Sequence, residues 1–487
     1  MQAAAALLTV VPLLLIPVRK GNSGMTNIVQ SVGALDRVEL WQNMIGRLVG
    51  VPGFAGWSAF HPFAAALLFG MGLLAMFVVH ACAARSAWNG TQAPFWHWLA
   101  GPVISHVVMI AMVPSNADVF YYEMSGDLAN RGINPYLHRL AEFPTHPLLP
   151  YNHWVDMATV YGPLWTQINA LLMRATGPDP VIATIVYKVL LGISALLLAG
   201  VVFHLAHRLT GSRSRAIAAF VLVAWQPNMI LESSGQAHND PVMLLLCTLG
   251  LALVLLGGRS GIRGALVLVA ASARIKYVTL PLLGVLGLLR LFGRPAMPAL
   301  LRAWALDGVA VAAVISASFL PYWGGSETVR EMMTEPGRIF THPAWHYQLI
   351  GIGALISTDA RKSVEDVIRV AMQIATFAGV GYSLWIVTRA ARSTTAMNAN
   401  RSPAAWRRAI LLSWSIILSV LAFVPVNSHA WYWTWPVVPI SLLLVAGSSF
   451  DQPATAASAQ PFPRWFWPYM VLTAALTLVY HARIVRL

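Results

Sequence analysis

The sequence predicts an all-α, polytopic integral membrane protein, and two observations carry that expectation. Of 487 residues, 57% are hydrophobic and only 10% charged, where a soluble domain carries about a quarter charged. The apolar residues are gathered into runs that approach or reach the roughly 20 residues a spanning helix needs. Lys and Arg outnumber Asp and Glu by 32 to 18, a net charge of +14. In a soluble chain such a surplus points to nucleic acid. Here the basic residues sit in short loops between apolar runs, the positive-inside pattern. No basic stripe interleaved with aromatics remains, so nucleic acid is not an expected partner. The two cysteines, Cys82 and Cys247, fall inside apolar runs, which argues against a disulfide framework or a zinc site.

Taken in order, residues 2–17 form a marginal first helix. Arg19 and Lys20 follow it rather than precede it, the reverse of a secretory signal. Met25 offers an alternative start that would remove it. Residues 18–58 are polar and mixed. Spans are expected near 60–84, 97–114, 181–206, 216–232, 241–257, 303–320, 366–389, 409–426, 432–449 and 465–482. Residues 264–292 are apolar but hold Arg274 and Lys276 mid-run, and read as two short helices meeting at a break. With these the total is about twelve or thirteen spans.

Topology follows from the basic clusters. Arg208, Arg213 and Arg215 form one, Arg259 and Arg263 a second, and Arg290, Arg294 and Arg302 a third. Arg389, Arg392, Arg401, Arg407 and Arg408 form the fourth. All are placed in the cytoplasm. Pro163 to Met173 is too short to span, and reading it as a span would put the first cluster outside. It is therefore expected to be a half-helix on the membrane face of a loop. That loop, 115–165, is then extracytoplasmic, with a second outer loop at 321–346. No repeat or separate soluble domain is visible, so 1–487 reads as one transmembrane domain with a large outer loop carrying short helices.

The loop from Asn116 to Trp165 carries Asp118, Glu123, Asp127, Glu142 and Asp156, an Asn-Pro-Tyr turn at 134–136 and Tyr-Gly-Pro-Leu at 161–164. It is the expected reaction chamber. Asp118 lies where a span meets the loop, so its carboxylate can take a proton from a sugar hydroxyl as that hydroxyl attacks. The bland reading is a solvated helix-end aspartate. Glu123 and Asp127 come next, as groups that bind substrate or cap a helix, and Tyr161 is counted among the binding residues. His238-Asn239-Asp240, just before Pro241, is a helix N-cap signal and equally a cluster able to bind sugar hydroxyls.

Arg274 and Lys276 are costly inside a membrane segment and are functional candidates for that reason. Their chemistry suits a phosphate; snorkelling, the alternative, is weakened by their mid-run position. In the aromatic run Asn427–Pro436 most rings are expected to be interfacial anchors, while His429 could reach a phosphate or an acceptor. His342, Trp345 and His346 are weaker candidates. No Walker loop, Asp-x-Asp pair or His/Cys metal spacing occurs, so no nucleotide, metal or other cofactor is expected.

The order of these motifs resembles the GT-C membrane glycosyltransferases: an aspartate after an early span, Gly-x-Asn-Pro-Tyr (132–136), Tyr-Gly-Pro-Leu (161–164), Trp-x-Pro (225–227), His-Asn-Asp (238–240), Lys276, and the run from Trp431-Tyr432 to Pro439. The likeness is greatest to bacterial polyprenyl-phosphate-mannose-dependent α-mannosyltransferases, over roughly residues 97–450. It implies a GT-C-like fold in the bacterial plasma membrane and a polyprenyl-phosphate sugar donor among the membrane lipids. It also implies a glycan or glycolipid acceptor, an extracytoplasmic active site, and an inverting, metal-independent transfer. The family's catalytic carboxylate in the first large outer loop maps onto Asp118. A transferase of another sugar, such as arabinose or glucose, or a protein O-mannosyltransferase fits the same residues. A transporter or flippase of lipid-linked sugars would also show intramembrane Arg and Lys. Such proteins often show internal repeats and midplane ion pathways, whereas here the carboxylates crowd into one outer loop.

Overall fold

The structure is a computed structural model that describes residues 1–14, 62–112, 114, 116–292, 295–330, 333, 355–393, 402–425, 428–446, 462–464 and 466–481. Residues 18–58, Arg294, His342, Trp345, His346, Arg401 and Asn427 lie outside the described residues. Among the described residues every regular element is helical, and six helices are long and apolar enough to cross a membrane, or seven counting one bent pair. Phe95–Ile110, Tyr277–Leu291 and Ala430–Ala446 are shorter apolar helices.

The first half of the chain forms α1 (Gln2–Leu14), α2 (Pro62–Trp88), α3 (Phe95–Ile110), α4 (Asp118–Asn130) and α5 (Pro163–Thr176). Then come α6 (Pro180–Thr210), α7 (Arg213–Ala224), α8 (Pro227–Ile230), α9 (Asp240–Gly257), α10 (Ile262–Ala273) and α11 (Leu280–Leu288). The rest are α12 (Met297–Phe319), α13 (Thr358–Ser393), α14 (Ser402–Phe423), α15 (Val437–Ala446) and α16 (Phe466–His481).

The central strut is α6. Its 31 residues, at about 1.5 Å each, exceed the roughly 30 Å of hydrocarbon. Asp179 caps it by accepting from the amides of Val181 and Ile182, both at 2.9 Å, and Gly211 ends it at φ +67°, the left-handed C-terminal stop that glycine adopts freely. Half of its apolar window is buried in the protein, against 17% for α12 and 11% for α13. Those two therefore present most of their apolar surface outward, as Val309, Phe377 and Trp385 do, which suits lipid-facing helices.

Two expectations about the middle of the chain receive a physical form here. The continuous helical stretch Asp240–Ala273 is folded on itself: the Ser272 hydroxyl donates to the Met243 carbonyl at 2.8 Å, and Gly250 lies against Ala265. It is thus an antiparallel α9–α10 hairpin, turned at Gly258 (φ +58°). The expected break at Arg274–Lys276 is present between α10 and α11, with Lys276 extended at φ −149°, ψ 125°. Not every expected span is one long helix: 97–114 holds the 16-residue α3 and 432–449 the 10-residue α15. The 216–232 run is α7 and α8 bent by 53° ahead of Pro227, because proline cannot donate to the preceding turn.

Two elements belong to the loop rather than to the bundle. The half-helix is α5, whose buried face holds Trp165, Thr166, Asn169 and Met173. It packs on α4, buried along nearly its whole length, where Gly126 allows the two backbones to meet at Asn169.

Candidate active site

The loop's two turn motifs build one frame. In the Asn-Pro-Tyr turn, the Asn134 side chain accepts from the Tyr136 amide at 3.1 Å and donates to the Tyr322 carbonyl at 2.7 Å. The Tyr136 hydroxyl donates to the Tyr161 carbonyl at 2.9 Å. That fixes the entry to Tyr-Gly-Pro-Leu, whose backbone docks into the membrane break. The Gly162 amide donates to the Ile275 carbonyl and the Leu164 amide to the Arg274 carbonyl, both at 3.1 Å. A broken helix in a membrane leaves carbonyls that must find donors, and this loop supplies them. Gly162 is required because any Cβ there would collide with the Arg274 carbonyl oxygen. Pro163 then opens α5 at a position where no amide is needed.

This frame delivers Tyr161 to Asp118. The Tyr161 hydroxyl donates to Asp118 Oδ2 at 2.7 Å, and Trp154 Nε1 donates to Oδ1 at 3.0 Å. Burial, and after it the Asp118 charge, raise the Tyr161 phenol well above its usual range, so it stays a donor. Asp118 is 4% exposed and begins α4, where the helix dipole favours a negative charge. A solvated helix-end aspartate is therefore not what is found. Each carboxylate oxygen keeps acceptor capacity beyond its one donor.

Facing it is His238, whose Nε2 lies 3.7 Å from Asp118 Oδ2 and 3.3 Å from Asn116 Nδ2. The backbone that presents His238 is unusual. Leu231–Gly235 is a π-turn, and Ala237 is at φ +61°, a region costly for any residue with a Cβ and found where a site over-determines it.

Two residues on, Asp240 opens α9 and accepts from Lys276 Nζ at 3.1 and 3.2 Å and from Trp435 Nε1 at 2.5 Å. The two intramembrane cations differ in their surroundings, and Lys276 has a carboxylate partner. It is ion-paired, and its ammonium also lies 4.9 Å from the Tyr432 ring. Arg274 turns elsewhere, its guanidinium 4.6 Å over Tyr277 and 5.1 Å from Phe319. It has no carboxylate partner among the described residues, and its Nε is buried without a hydrogen-bond partner.

Three predicted residues do not join the cluster. Glu123 is wholly buried, held by the Thr184 hydroxyl at 2.6 Å; burial raises its carboxyl pKa well above the usual range, more than that hydrogen bond lowers it. Asp127 serves the loop, paired with Arg131 at 2.6 Å and His146 at 2.9 Å. Both are on other faces of α4, since five and nine residues correspond to roughly 140° and 180° of helix rotation. His429 sits one layer back, stacked on Trp431 at 4.4 Å with Nδ1 3.2 Å from the Tyr480 hydroxyl. Asn239 lies inside the cluster, fully buried with neither amide atom hydrogen-bonded.

The sequence did not single out Asn116, Trp154, Glu232 or His481, and it marked Trp431 and Trp435 only as part of an aromatic motif. The tryptophans were expected to be anchors, yet Trp431, Trp433 and Trp435 are buried, and Trp431 stacks on His238 at 3.8 Å. Only the density of rings between Ser428 and Pro436 signalled that this segment returns to the site.

An all-α bundle of apolar helices with a buried carboxylate–imidazole cluster at the edge of a polar loop is a polytopic membrane protein built around a polar site. The chain belongs to the family described as alpha-(1->6)-mannopyranosyltransferase, N-terminal domain, whose profile matches residues 25–291. It is 31% identical over 139 residues to alpha-(1->6)-mannopyranosyltransferase A of Corynebacterium glutamicum, a match spanning 28% of this chain and 28% of that relative. Among solved structures it is similar to the archaeal oligosaccharyltransferase AglB of Archaeoglobus fulgidus, in complex with an inhibitory peptide and a dolichol-phosphate. That likeness has a TM-score of 0.33 at 12% identity, over 85% of this chain and 55% of that one. The Asp118, Tyr161, His238 and Lys276 positions all fall within the family match.

Proposed function

We propose that this chain is an inverting membrane mannosyltransferase that moves a mannosyl group from a polyprenyl phosphate to a hydroxyl of a glycan or glycolipid acceptor. The acceptor would lie on the extracytoplasmic side of a bacterial plasma membrane, and the family name points to an α-(1→6) linkage. The observation that carries this reading is Asp118: a buried carboxylate, oriented by Trp154 and Tyr161, with unused acceptor capacity facing His238.

In the proposed step the acceptor O–H proton passes to Asp118 as its oxygen forms a bond to the anomeric carbon. The bond from that carbon to the phosphate oxygen breaks, and polyprenyl phosphate departs with the electron pair. A positioned base of this kind contributes about 10²- to 10⁴-fold in rate. Negative charge grows on the leaving phosphate, and a preorganised cation is the largest available stabiliser. Arg274, a guanidinium without a carboxylate partner among the described residues, suits that task better than Lys276, which Asp240 already neutralises. His238, Asn239 and Asp240 supply polar groups for sugar hydroxyls.

The test incubates purified protein with polyprenyl-phosphate-linked mannose, arabinose or glucose and bacterial membrane extract, and follows transfer of labelled sugar. Mannose transfer that requires the lipid phosphate is the expected result. Absence of transfer from every donor, or labelled donor crossing vesicles without transfer, would overturn the reading.

A further inference from the structure

Behind His238 lies a second carboxylate that the proposed chemistry does not use. Glu232 sits on the π-turn, 3% exposed, with Oε2 2.9 Å from His238 Nδ1 and Oε1 2.8 Å from His481 Nε2. His481 comes from the end of α16, some 250 residues further along the chain and outside the matched family region. Both imidazoles are buried, and the opposite face of the His238 ring is covered by Trp431 at 3.8 Å. The order in space is therefore His481, Glu232, His238 and then Asp118.

We propose that Glu232 is a positioning residue that acts through His238, with His481 holding Glu232 in place. The Glu232 carboxylate, 2.9 Å from Nδ1 though not aligned with it as a hydrogen bond, places negative charge beside that nitrogen and so favours the tautomer with its proton there. Nε2 is then left as an acceptor, and the Asn116 side-chain amide donates to it at 3.3 Å, while Asn116 Oδ1 accepts from the Asp118 amide at 3.2 Å. The 3.7 Å between Nε2 and Asp118 Oδ2 is too long for a hydrogen bond between them, so His238 acts on Asp118 through Asn116. His238 thereby fixes Asn116 at the start of α4, and with it the place of the carboxylate that takes the acceptor proton. No bond is made or broken at Glu232. The π-turn and the strained Ala237 fit this role, since they let Glu232 and His238 meet although only six residues separate them.

The inference rests on the transferase reading but is tested in two ways that separate them. In protein labelled with ¹⁵N-histidine, the His238 ring should show the Nδ1-protonated tautomer without substrate; the Nε2-protonated form would overturn the assignment whatever the enzyme transfers. In the transfer assay, Glu232→Gln should lower kcat about 10- to 100-fold, the range for partners that orient an imidazole, with acceptor KM within about twofold. His238→Ala with and without Glu232→Gln should then be equally slow. A second loss of the same size in the His238→Ala background would show that Glu232 acts independently and overturn the proposal. Should Glu232→Gln not fold, His481→Ala takes its place, with the same requirement that its effect vanish when His238 is absent. If wild type transfers nothing, the function has failed while the tautomer still decides the positioning role.

Discussion

The Gly162 amide donates to the Ile275 carbonyl at 3.1 Å, and this contact ties the loop that carries Tyr161 to the break between α10 and α11. It makes the position of Tyr161, and through it the orientation of Asp118, depend on a glycine that carries no side chain of its own. Gly162→Ala forces a methyl group into the Arg274 carbonyl. Overpacking of this kind costs about 1–3 kcal/mol, and the loop must withdraw to relieve it. The expected outcome is a lower thermal midpoint in detergent together with a large loss of transfer. A variant with wild-type stability and turnover would show that the loop docks another way.

The two cations should behave differently. Arg274→Gln removes a guanidinium that has no carboxylate partner among the described residues, so it should weaken donor binding about 10- to 100-fold, the equivalent of one charge-assisted hydrogen bond, with little effect on folding beyond the lost ring contact. Asp240→Asn leaves Lys276 partly buried and uncompensated, which costs about 3–5 kcal/mol when a buried pair is broken. Thermal unfolding and a donor-binding titration read the two effects apart. Equal donor affinities in wild type and Arg274→Gln would remove Arg274 from the phosphate site.

Much of this architecture is legible in the sequence because it follows from local rules. Arg274 and Lys276 inside an apolar run mark a break, Pro163 marks the start of a short helix, and Gly211 marks the end of α6. The cluster is less legible because its partners come from afar. Nothing near Glu232 shows that His481 will meet it, and nothing near Asp240 shows that Trp435 and Lys276 converge there. The α9–α10 hairpin is what returns Lys276 to Asp240, and a sequence pattern records length and polarity rather than such a return. Glu123 and Asp127 were plausible as near neighbours of Asp118 in sequence; the helix α4 puts them on other faces.

Orientation is checked at Thr145, an exposed loop residue in the segment expected outside from the basic clusters. In a chain with Cys82 and Cys247 replaced by Ala, Thr145→Cys should react with a membrane-impermeant thiol reagent in intact cells. Reaction only after lysis would put the cluster on the cytoplasmic side, and an extracytoplasmic acceptor would no longer be tenable.

The sharpest test compares the three α4 carboxylates. Asp118→Asn preserves shape and can still accept from Trp154 or Tyr161, but it cannot take the proton. It should fold, bind donor and lose about 10²- to 10⁴-fold in turnover. Asp127→Asn should keep its turnover, since Asp127 faces Arg131 and His146. Glu123→Gln should also keep it, and it carries a second signature. Burial raises the Glu123 pKa in the folded chain, so folding must hold the group neutral. Its destabilising effect is absent below the unfolded carboxylate range and grows as pH rises toward the folded value. Glu123→Gln should remove that part of the fall in stability with rising pH, read from thermal midpoints across the pH range. If Asp118→Asn turns over normally while Glu123→Gln or Asp127→Asn is dead, the base lies on another face of α4 and the positioning of Asp118 through Asn116 and His238 loses its purpose.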